Sequence, residues 1–149
     1  MKRFRGFTLI EVMVAAAIIC ILSALALPSL GRYVVKSKRA QAQASLLRLM
    51  QQQERYYSHN NSYVEFSSVS TDPDEKRFAW WSGENASASA YEIRGAACPG
   101  EPISQCVQLT ALPGSGMVDP GFRDDECETL SLSSNGRRAA SGPAENCWP

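Results

Sequence analysis

The sequence contains few of the side chains that most enzymes use for catalysis. Its single histidine, His59, excludes from this chain any site that needs two imidazole groups. The nucleophile elbow, the phosphate-binding loop and the helical zinc-hydrolase motif are also absent from the sequence. We therefore expect no enzymatic activity, no catalytic residue and no cofactor.

Charge is nearly absent from one stretch and unevenly distributed elsewhere. Between Phe7 and Leu30, Glu11 is the one acidic or basic side chain. Residues 32–55 carry six basic side chains against one acid, whereas residues 60–149 carry six basic against thirteen acidic, a net charge of minus seven. The zero net charge of the whole chain therefore hides a basic segment followed by an acidic one.

The apolar run from Phe7 to Leu30 has 24 residues. As a helix it would be about 36 Å long, which is enough to cross a bilayer. A carboxylate at mid-bilayer costs ~2.5–3.5 kcal/mol, so Glu11 needs a partner. If the chain is cut after Gly6, the new α-amino group of Phe7 is a cation about one helical turn away from Glu11.

A cleaved secretory signal peptide is the alternative explanation of a basic start followed by an apolar run. The segment Ala24-Leu25-Ala26 offers a suitable cleavage site, with Pro28 shortly after it. Two features favour the cut after Gly6 instead. Glu11 is badly suited to a hydrophobic targeting core, and the helical pattern continues beyond Pro28.

The segment from Gly6 to Val12, Gly-Phe-Thr-Leu-Ile-Glu-Val, resembles the processing site of the type IV pilin family. The resemblance implies that a prepilin peptidase cuts between Gly6 and Phe7 and that the new Phe7 amine is methylated. It also implies that Glu11 pairs with this amine on a neighbouring subunit during assembly.

Pro28 and Gly31 are the positions at which we expect the N-terminal helix to break. Proline removes one backbone N–H donor and clashes with the preceding turn, and glycine is a weak helix former. Pilins similarly carry a proline in this part of the helix, and the resemblance implies that the helix loosens there when subunits pack into a filament.

Beyond the apolar run, the pattern predicts an α+β fold. Small or apolar residues recur every three or four positions up to about Ser58, which indicates that the helix continues with one apolar face. Three alternating segments predict strands, and Asn135-Gly136 predicts a hairpin leading into a short fourth strand. The predicted strands are Tyr91–Arg94, Cys106–Thr110 and Thr129–Ser133.

The resemblance covers nearly the whole chain and implies the type IV pilin fold. In that fold, a long N-terminal α-helix packs on a small antiparallel β-sheet with a disulfide-bounded C-terminal loop. We divide the chain accordingly into four segments. These are the leader peptide 1–6, the transmembrane and filament-core helix 7–30, the amphipathic half of the same helix 31–59, and the globular head 60–149.

Four of the five cysteines lie in the acidic half of the chain, which indicates two disulfides and an oxidising compartment. Four thiols allow three pairings, and the sequence alone does not choose among them. We favour Cys98–Cys106 and Cys127–Cys147, the second of which would be worth ~3 kcal/mol in the chain-entropy model. The resemblance supports the second pair, since the family links a cysteine just before the third strand to one near the C-terminus.

An acidic cluster near the C-terminus could hold calcium, as a loop of the related secretion pseudopilins does. Its spacing does not match an EF-hand loop, so we favour a solvated acidic loop without a metal. The cluster consists of Asp119, Asp124, Asp125, Glu126 and Glu128.

The resemblance implies that the chain is a type IV pilus subunit, more specifically a minor pilin, with roles in pilus biogenesis, twitching motility and adhesion. Such a subunit is held in the bacterial inner membrane, with a periplasmic head, before it joins an extracellular pilus fibre. Its expected partners are other pilin subunits, the prepilin peptidase, the inner-membrane assembly platform and the lipid bilayer.

Two alternative functions share the N-terminal motif. One is a type II secretion pseudopilin, which the C-terminal disulfide loop disfavours. The other is a DNA-binding competence pilin. Nucleic acid needs a basic surface, and a head with a net charge of minus seven could offer only a local one. The arginines that could contact DNA are Arg94, Arg123, Arg137 and Arg138.

The cleavage hypothesis predicts the first residue of the mature protein. We expect mass spectrometry of the processed chain to find N-methylated Phe7 at the N-terminus. A mature chain that begins at Leu27 would identify a secretory signal peptide instead and would contradict the hypothesis.

Overall fold

The computed structural model describes residues 7–149, with only the backbone described for residues 25–29. One long helix, α1 (Leu9–Asn60), is followed by a single 3-10 turn and four strands. The strands are β1 (Tyr91–Ala97), β2 (Val107–Pro113), β3 (Leu130–Ser133) and β4 (Arg138–Ala140). The chain divides into two compact units, residues 1–36 and 37–149, and each unit is described by itself.

Helix α1 ends where the sequence supplies residues that tolerate a left-handed backbone. Asn61, the next residue, has a φ of 53°, and its N–H donates to the Tyr57 carbonyl at 2.8 Å. The Asn60 side chain also donates to the Tyr56 carbonyl at 2.9 Å. These two bonds satisfy carbonyls that the last turn of a helix otherwise leaves without partners.

Helix α1 is continuous through Pro28 and Gly31, the positions at which the sequence predicts a break. A long helix can continue past a proline, because proline removes only one N–H donor from the ladder and the neighbouring bonds remain. The break therefore stays a prediction for subunits packed in a filament.

The four strands form one antiparallel sheet in the order β1-β2-β3-β4. All four predicted strands are present, although β1 and β2 each extend three residues further than the sequence pattern indicates. The predicted hairpin joins β3 to β4. Its Gly136 has a φ of 84°, a conformation that glycine adopts without steric cost.

The core of the unit 37–149 lies between one face of α1 and one face of the sheet. Ala42, Leu46 and Leu49 are buried on the helix at the spacing expected of a single face. Burial alternates along β1 and β2, so every second side chain of these strands points into the core. The fully buried side chains of the sheet include Tyr91, Ile93, Val107, Leu109 and Leu130.

The segment between α1 and the sheet covers the free edge of β1. Phe66 and Gly95 exchange two backbone hydrogen bonds of 3.0 and 2.9 Å, and the Trp80 carbonyl accepts the Ile93 N–H at 2.7 Å. A covered edge cannot pair with a strand of another chain. Trp81, at the end of the apolar patch Phe78–Trp81, also forms an isolated bridge with Glu92 of β1.

Gly95 is required because the ring of Phe66 occupies the space of a side chain at that position. A Cβ at residue 95 would lie 2.6 Å from the Phe66 ring and 3.1 Å from Leu109. We expect Gly95→Ala to lower the free energy of unfolding by about 1–3 kcal/mol, the usual cost of overpacking a core. Denaturant unfolding of the detergent-solubilised chain measures this change.

Gly116→Ala is the matched control, since a Cβ there meets nothing within 4 Å. It should leave the free energy of unfolding within about 0.5 kcal/mol of the parent. Equal stabilities for the two variants would show that Phe66 does not require a glycine beneath it.

Candidate functional site

The first turn of α1 is closed by a reciprocal pair of hydrogen bonds between Thr8 and Glu11. The Thr8 backbone N–H and hydroxyl each donate to Glu11 Oε2 at 2.9 Å. The Glu11 backbone N–H donates back to Thr8 Oγ1 at 3.3 Å. This arrangement is a capping box, which the pattern Thr-x-x-Glu could have revealed in the sequence.

The capping box changes how the Glu11 carboxylate is interpreted. Within a single chain, the carboxylate already has a partner in Thr8 and lies at the positive end of the helix dipole. The side chain of Phe7, the residue before Thr8, is largely exposed. Gly6 and the rest of the predicted leader 1–6 lie outside the described residues.

The N-terminal part of α1 exposes many large apolar side chains, among them Leu9, Ile10, Val12, Ile18 and Leu22. Within the described part of the chain, no helix combines the length and the apolar character that crossing a membrane requires. The predicted span, residues 7–30, includes residues 25–29, whose side chains are not described.

A buried ion pair joins α1 to the C-terminal part of the head. Arg39 Nε lies 2.7 Å from Asp124 Oδ2, and Arg39 Nη2 lies 2.6 Å from Asp124 Oδ1. The Arg39 side chain is only 9% exposed and that of Asp124 is 0% exposed. A second carboxylate, Glu126, accepts from the same Nη2 at 2.9 Å. Two parallel bonds of this kind fix direction as well as distance.

The sheet and the C-terminal loop complete the surroundings of Asp124. The Tyr91 hydroxyl donates to Asp124 Oδ2 at 2.5 Å, and the Cys127 N–H donates to Oδ1 at 3.2 Å. Burial alone would raise the pKa of Asp124, but the bonds from Arg39, Tyr91 and Cys127 outweigh it and the pKa is lowered. Burial and the neighbouring carboxylate raise the pKa of Tyr91.

The interpretation of the acidic cluster as a solvated loop is wrong for Asp124. That carboxylate is buried and paired with Arg39, which lies 85 positions away in the sequence. Asp119, Asp125 and Glu128 are exposed. Among the residues from Phe7 onward, no group of three His, Cys, Asp or Glu side chains is placed to hold a metal ion.

Two disulfides are present in the predicted pairing, Cys98–Cys106 and Cys127–Cys147. The second bond closes a loop that contains Glu128. Gln43 on α1 donates its side-chain N–H to the Cys147 carbonyl at 2.5 Å. The helix therefore contacts both ends of this disulfide-bounded loop, Asp124 just before it and Cys147 at its close.

The four arginines predicted to contact DNA do not form one cluster. Arg94 lies in the middle of β1, and Arg137 flanks the β3–β4 hairpin. Arg123 lies near the opposite end of the sheet, where it donates to the Pro120 and Phe122 carbonyls. Arg138 lies over the Trp148 ring at 5.5 Å from its centroid. They are spread along a sheet that is roughly 20 Å long at the rise of a β-strand.

A different basic surface runs along α1, and the sequence analysis missed it. Two adjoining cavities of about 680 and 630 Å³ lie between α1 and the segment 77–84, and both are lined by Gln52 and Arg77. Arg48 lines the first cavity and Arg55 the second. We call this continuous surface the basic groove. The sequence does not reveal this groove, because Arg77 comes from a segment in which apolar residues do not recur at a regular spacing.

Comparison with protein-family models gives two matches. Residues 1–27 match the prokaryotic N-terminal methylation motif. Residues 28–131 match the family described as type IV minor pilin ComP, DNA uptake sequence receptor.

Individual relatives are also pilins by name. The type IV major pilin protein PilA of Myxococcus xanthus (strain DK1622) is 35% identical over 95 residues, or 64% of this chain. The match spans 43% of that relative, less than half of its length.

Two solved structures are similar to 77% of the chain, each with a TM-score of 0.48. One is a type IV pilin from Shewanella oneidensis, 26% identical and matched over 98% of its own chain. The other is the non-core minor pilin PilV of Neisseria meningitidis, 17% identical and matched over 94% of its chain.

The buried ion pair predicts a strong effect of removing one partner. We expect Asp124→Ala to lower the free energy of unfolding by about 3 kcal/mol, the lower end of the cost of breaking a buried ion pair, because only the exposed Glu126 would remain to balance the buried Arg39. Asp125→Ala is the matched control, since Asp125 is exposed and its loss should cost less than about 0.5 kcal/mol. A similar loss in both variants, measured by denaturant unfolding, would contradict this account.

The lowered pKa of Asp124 also predicts how stability depends on pH. Such a carboxyl adds stability above its unfolded pKa and loses it as pH falls through the lower folded pKa. The ordinary pKa is 3.8, so the free energy of unfolding should fall as the pH is lowered below about 4. In Asp124→Asn this fall should be shallower, and an unchanged pH profile would assign the acid sensitivity to other carboxyls.

Proposed function

This chain belongs to the type IV pilin family, and from that premise we propose that it is a minor pilin assembled into a surface filament. It is held in the bacterial inner membrane by residues 7–30, with its head in the periplasm, until assembly. The observation that carries the proposal is the match of residues 1–27 to the N-terminal methylation motif. The motif contains both the cleavage position Gly6/Phe7 and the acid Glu11.

In this proposal, processing prepares the N-terminus for assembly. The prepilin peptidase cuts between Gly6 and Phe7 and methylates the Phe7 amine, which stays cationic. The capping box keeps Glu11 hydrogen bonded to Thr8 in the separate subunit. This bonding reduces the ~2.5–3.5 kcal/mol that a carboxylate in lipid otherwise costs.

Assembly then replaces lipid around the helix with neighbouring helices. The large apolar side chains exposed on the first turns of α1 supply the surface that packs in the filament core. The Phe7 amine of an adjoining subunit can bond to the second oxygen of the Glu11 carboxylate, since the bonds from Thr8 both go to Oε2. The capping box within one subunit is therefore compatible with an ion pair between Glu11 and the Phe7 amine of the next subunit.

The partners follow from these steps. They are the prepilin peptidase, the inner-membrane assembly platform and the other pilin subunits of the fibre, with roles in pilus biogenesis, twitching motility and adhesion. The two disulfides support a location outside the cytoplasm, since such bonds persist in oxidising compartments.

Substitution of Glu11 tests the assembly mechanism. Glu11→Gln keeps a hydrogen-bond acceptor for the capping box, because glutamine also serves at this position, but it removes the charge. We expect incorporation into sheared fibres to fall roughly tenfold, since a bond to a charged group is worth about 1.5–3 kcal/mol. Membrane insertion should persist or improve.

The complementary variant is Thr8→Val, which removes the hydroxyl of the cap and keeps the charge at Glu11. Quantitative immunoblots of membranes and fibres compare the two variants. If Glu11→Gln is incorporated normally while Thr8→Val is not, the cap rather than the ion pair drives assembly, and the mechanism is wrong.

A second candidate function is binding of double-stranded DNA. It is favoured by the description of the family model that matches residues 28–131, which names a DNA uptake sequence receptor. The head has a net charge of minus seven, so DNA would have to bind at a local basic surface. Gel shifts of the detergent-solubilised chain at several salt concentrations test this function.

Binding through Arg94, Arg123, Arg137 and Arg138 predicts weaker affinity when these residues are replaced. Arg137→Ala with Arg138→Ala should weaken binding and reduce the salt slope by roughly 2, because each of the two arginines would neutralise one phosphate. Unchanged binding and slope would exclude this pair of arginines from the DNA interface.

A further inference from the structure

A pocket of about 270 Å³ lies on the face of the sheet that points away from α1. The loop closed by the Cys98–Cys106 disulfide forms one wall of this pocket, and the β3–β4 hairpin forms the other. We call it the outer pocket. The N-terminal mechanism uses none of the side chains that line it. The polar ones are Glu101, Gln108, Ser131, Ser133, Asn135 and Arg137.

The position of Ser133 shows that the outer pocket is built into the fold. Gln108 faces away from α1, because its neighbours Val107 and Leu109 are buried in the core. Ser133 lies opposite Gln108 in the register of β2 and β3, so the two side chains share the outer face of the sheet. Even so, Ser133 is only 7% exposed. The walls of the pocket therefore shield it from solvent.

The hydroxyl of Ser133 has no hydrogen-bond partner among the described residues, whereas its backbone N–H donates to the Arg137 carbonyl at 2.9 Å. In the described part of the chain, every wholly buried side-chain nitrogen or oxygen atom has a partner. The Ser133 Oγ must therefore open onto the pocket that Ser133 lines. Buried polar groups in proteins are generally paired, and a ligand in the pocket would supply the bond.

The two charged side chains of the outer pocket have opposite signs and come from opposite walls. Glu101 belongs to the disulfide-closed loop and Arg137 to the hairpin, and both are exposed. Neither forms an ion pair with another residue that the structure describes. The Asn135 side-chain oxygen accepts the Arg137 backbone N–H at 3.1 Å, which leaves the Asn135 amide NH₂ group as a further donor. One cavity therefore offers a cation, an anion and neutral hydrogen-bonding groups.

We propose that the outer pocket binds a free α-amino acid with a short polar side chain. Such a ligand is a zwitterion near neutral pH. Its carboxylate bonds to Arg137 and to the Ser133 hydroxyl, and its ammonium bonds to Glu101. Its side chain faces the amide groups of Gln108 and Asn135. The inference goes beyond the proposed function and does not depend on assembly into fibres.

The charges of the pocket favour a zwitterion over an anion or a neutral sugar. A phosphate group would gain Arg137, but Glu101 and the net charge of minus seven on the head would repel it. A neutral sugar would leave both charged side chains without a charged partner, and charge-assisted hydrogen bonds are the stronger ones. The volume of about 270 Å³ is smaller than that of pockets for drug-sized ligands, which suits a molecule of few heavy atoms.

The test titrates L-serine into the isotopically labelled full-length chain in detergent micelles and follows amide signals by NMR. The signals that report on the pocket are the side-chain amides of Gln108 and Asn135 and the backbone amide of Gly136. We expect saturable shifts with a Kd of roughly 1 mM, since a ligand this small has few atoms with which to bind. The absence of saturable shifts at these amides would overturn the inference.

Truncated ligands test whether both charges are recognised. β-Hydroxypropionate is serine without its ammonium, and ethanolamine is serine without its carboxylate. Each should bind roughly tenfold more weakly than serine, because each loses a charge-assisted bond. Equal affinity for serine and either truncated ligand would overturn the inference. Inorganic phosphate should bind more weakly than serine, and tighter binding of phosphate would identify an anion site instead.

Substitutions test which side chains bind the ligand. Arg137→Gln and Glu101→Gln each remove one charge and should weaken serine binding roughly tenfold, and Ser133→Ala should weaken it several-fold. Arg94→Gln and Glu145→Gln are the matched controls, because both residues are exposed and lie outside the pocket. The controls should bind serine as the parent does. Circular dichroism verifies that every variant is folded, and parental affinity in the folded Arg137→Gln and Glu101→Gln variants would overturn the inference.

A double-stranded oligonucleotide is the last probe. If it shifts the amides of Gln108, Asn135 and Gly136 while serine shifts none of them, the pocket is part of a nucleic-acid surface and the inference is wrong. Shifts caused by serine and not by the oligonucleotide support the inference. Failure of the proposed function is a separate result, since it would show as absence of the parent chain from fibres, whereas serine binding is measured on separate subunits.

Discussion

The bidentate pair between Arg39 and Asp124 sets the arrangement of helix, sheet and C-terminal loop in the unit 37–149. Both groups are almost fully removed from water, so each is stable only while the other stays in place. Tyr91 brings the sheet to the same carboxylate, and Cys127 brings the loop. A displacement of any one of these elements would leave a buried charge or hydroxyl without its partner.

This constraint separates the chain into parts with different physical tasks. The first turns of α1 keep large apolar side chains exposed, as the proposed packing against other helices requires. The unit 37–149 has its own core and presents charged surfaces on a backbone held by two disulfides and an ion pair. Arg39 and Gln43 hold the disulfide-bounded C-terminal loop against the helix through Asp124 and Cys147.

Most of the fold could be predicted because its signals are local. The helix follows from the recurrence of small or apolar residues every three or four positions. The hairpin follows from Asn135-Gly136, since glycine adopts the positive φ that the turn needs. The capping box at Thr8 has an equally local signal in the pattern Thr-x-x-Glu, although the sequence analysis did not use it. The pairing of Arg39 with Asp124 could not be predicted, because 85 positions in the sequence separate them. In addition, both residues occur in charged segments of the kind that usually lie on a solvent-exposed surface.

By itself, the sequence determined the membership of this chain in a family and the chemistry expected at its N-terminus. The proposed cleavage and methylation and the acid at Glu11 rest on seven consecutive residues, Gly6 to Val12, and need no distant contact. Only the tertiary structure decided which of the acidic residues is buried and which arginines share a groove. The reason is physical: burial and electrostatic complementarity depend on which elements pack together, and packing brings together side chains from segments that no local pattern connects.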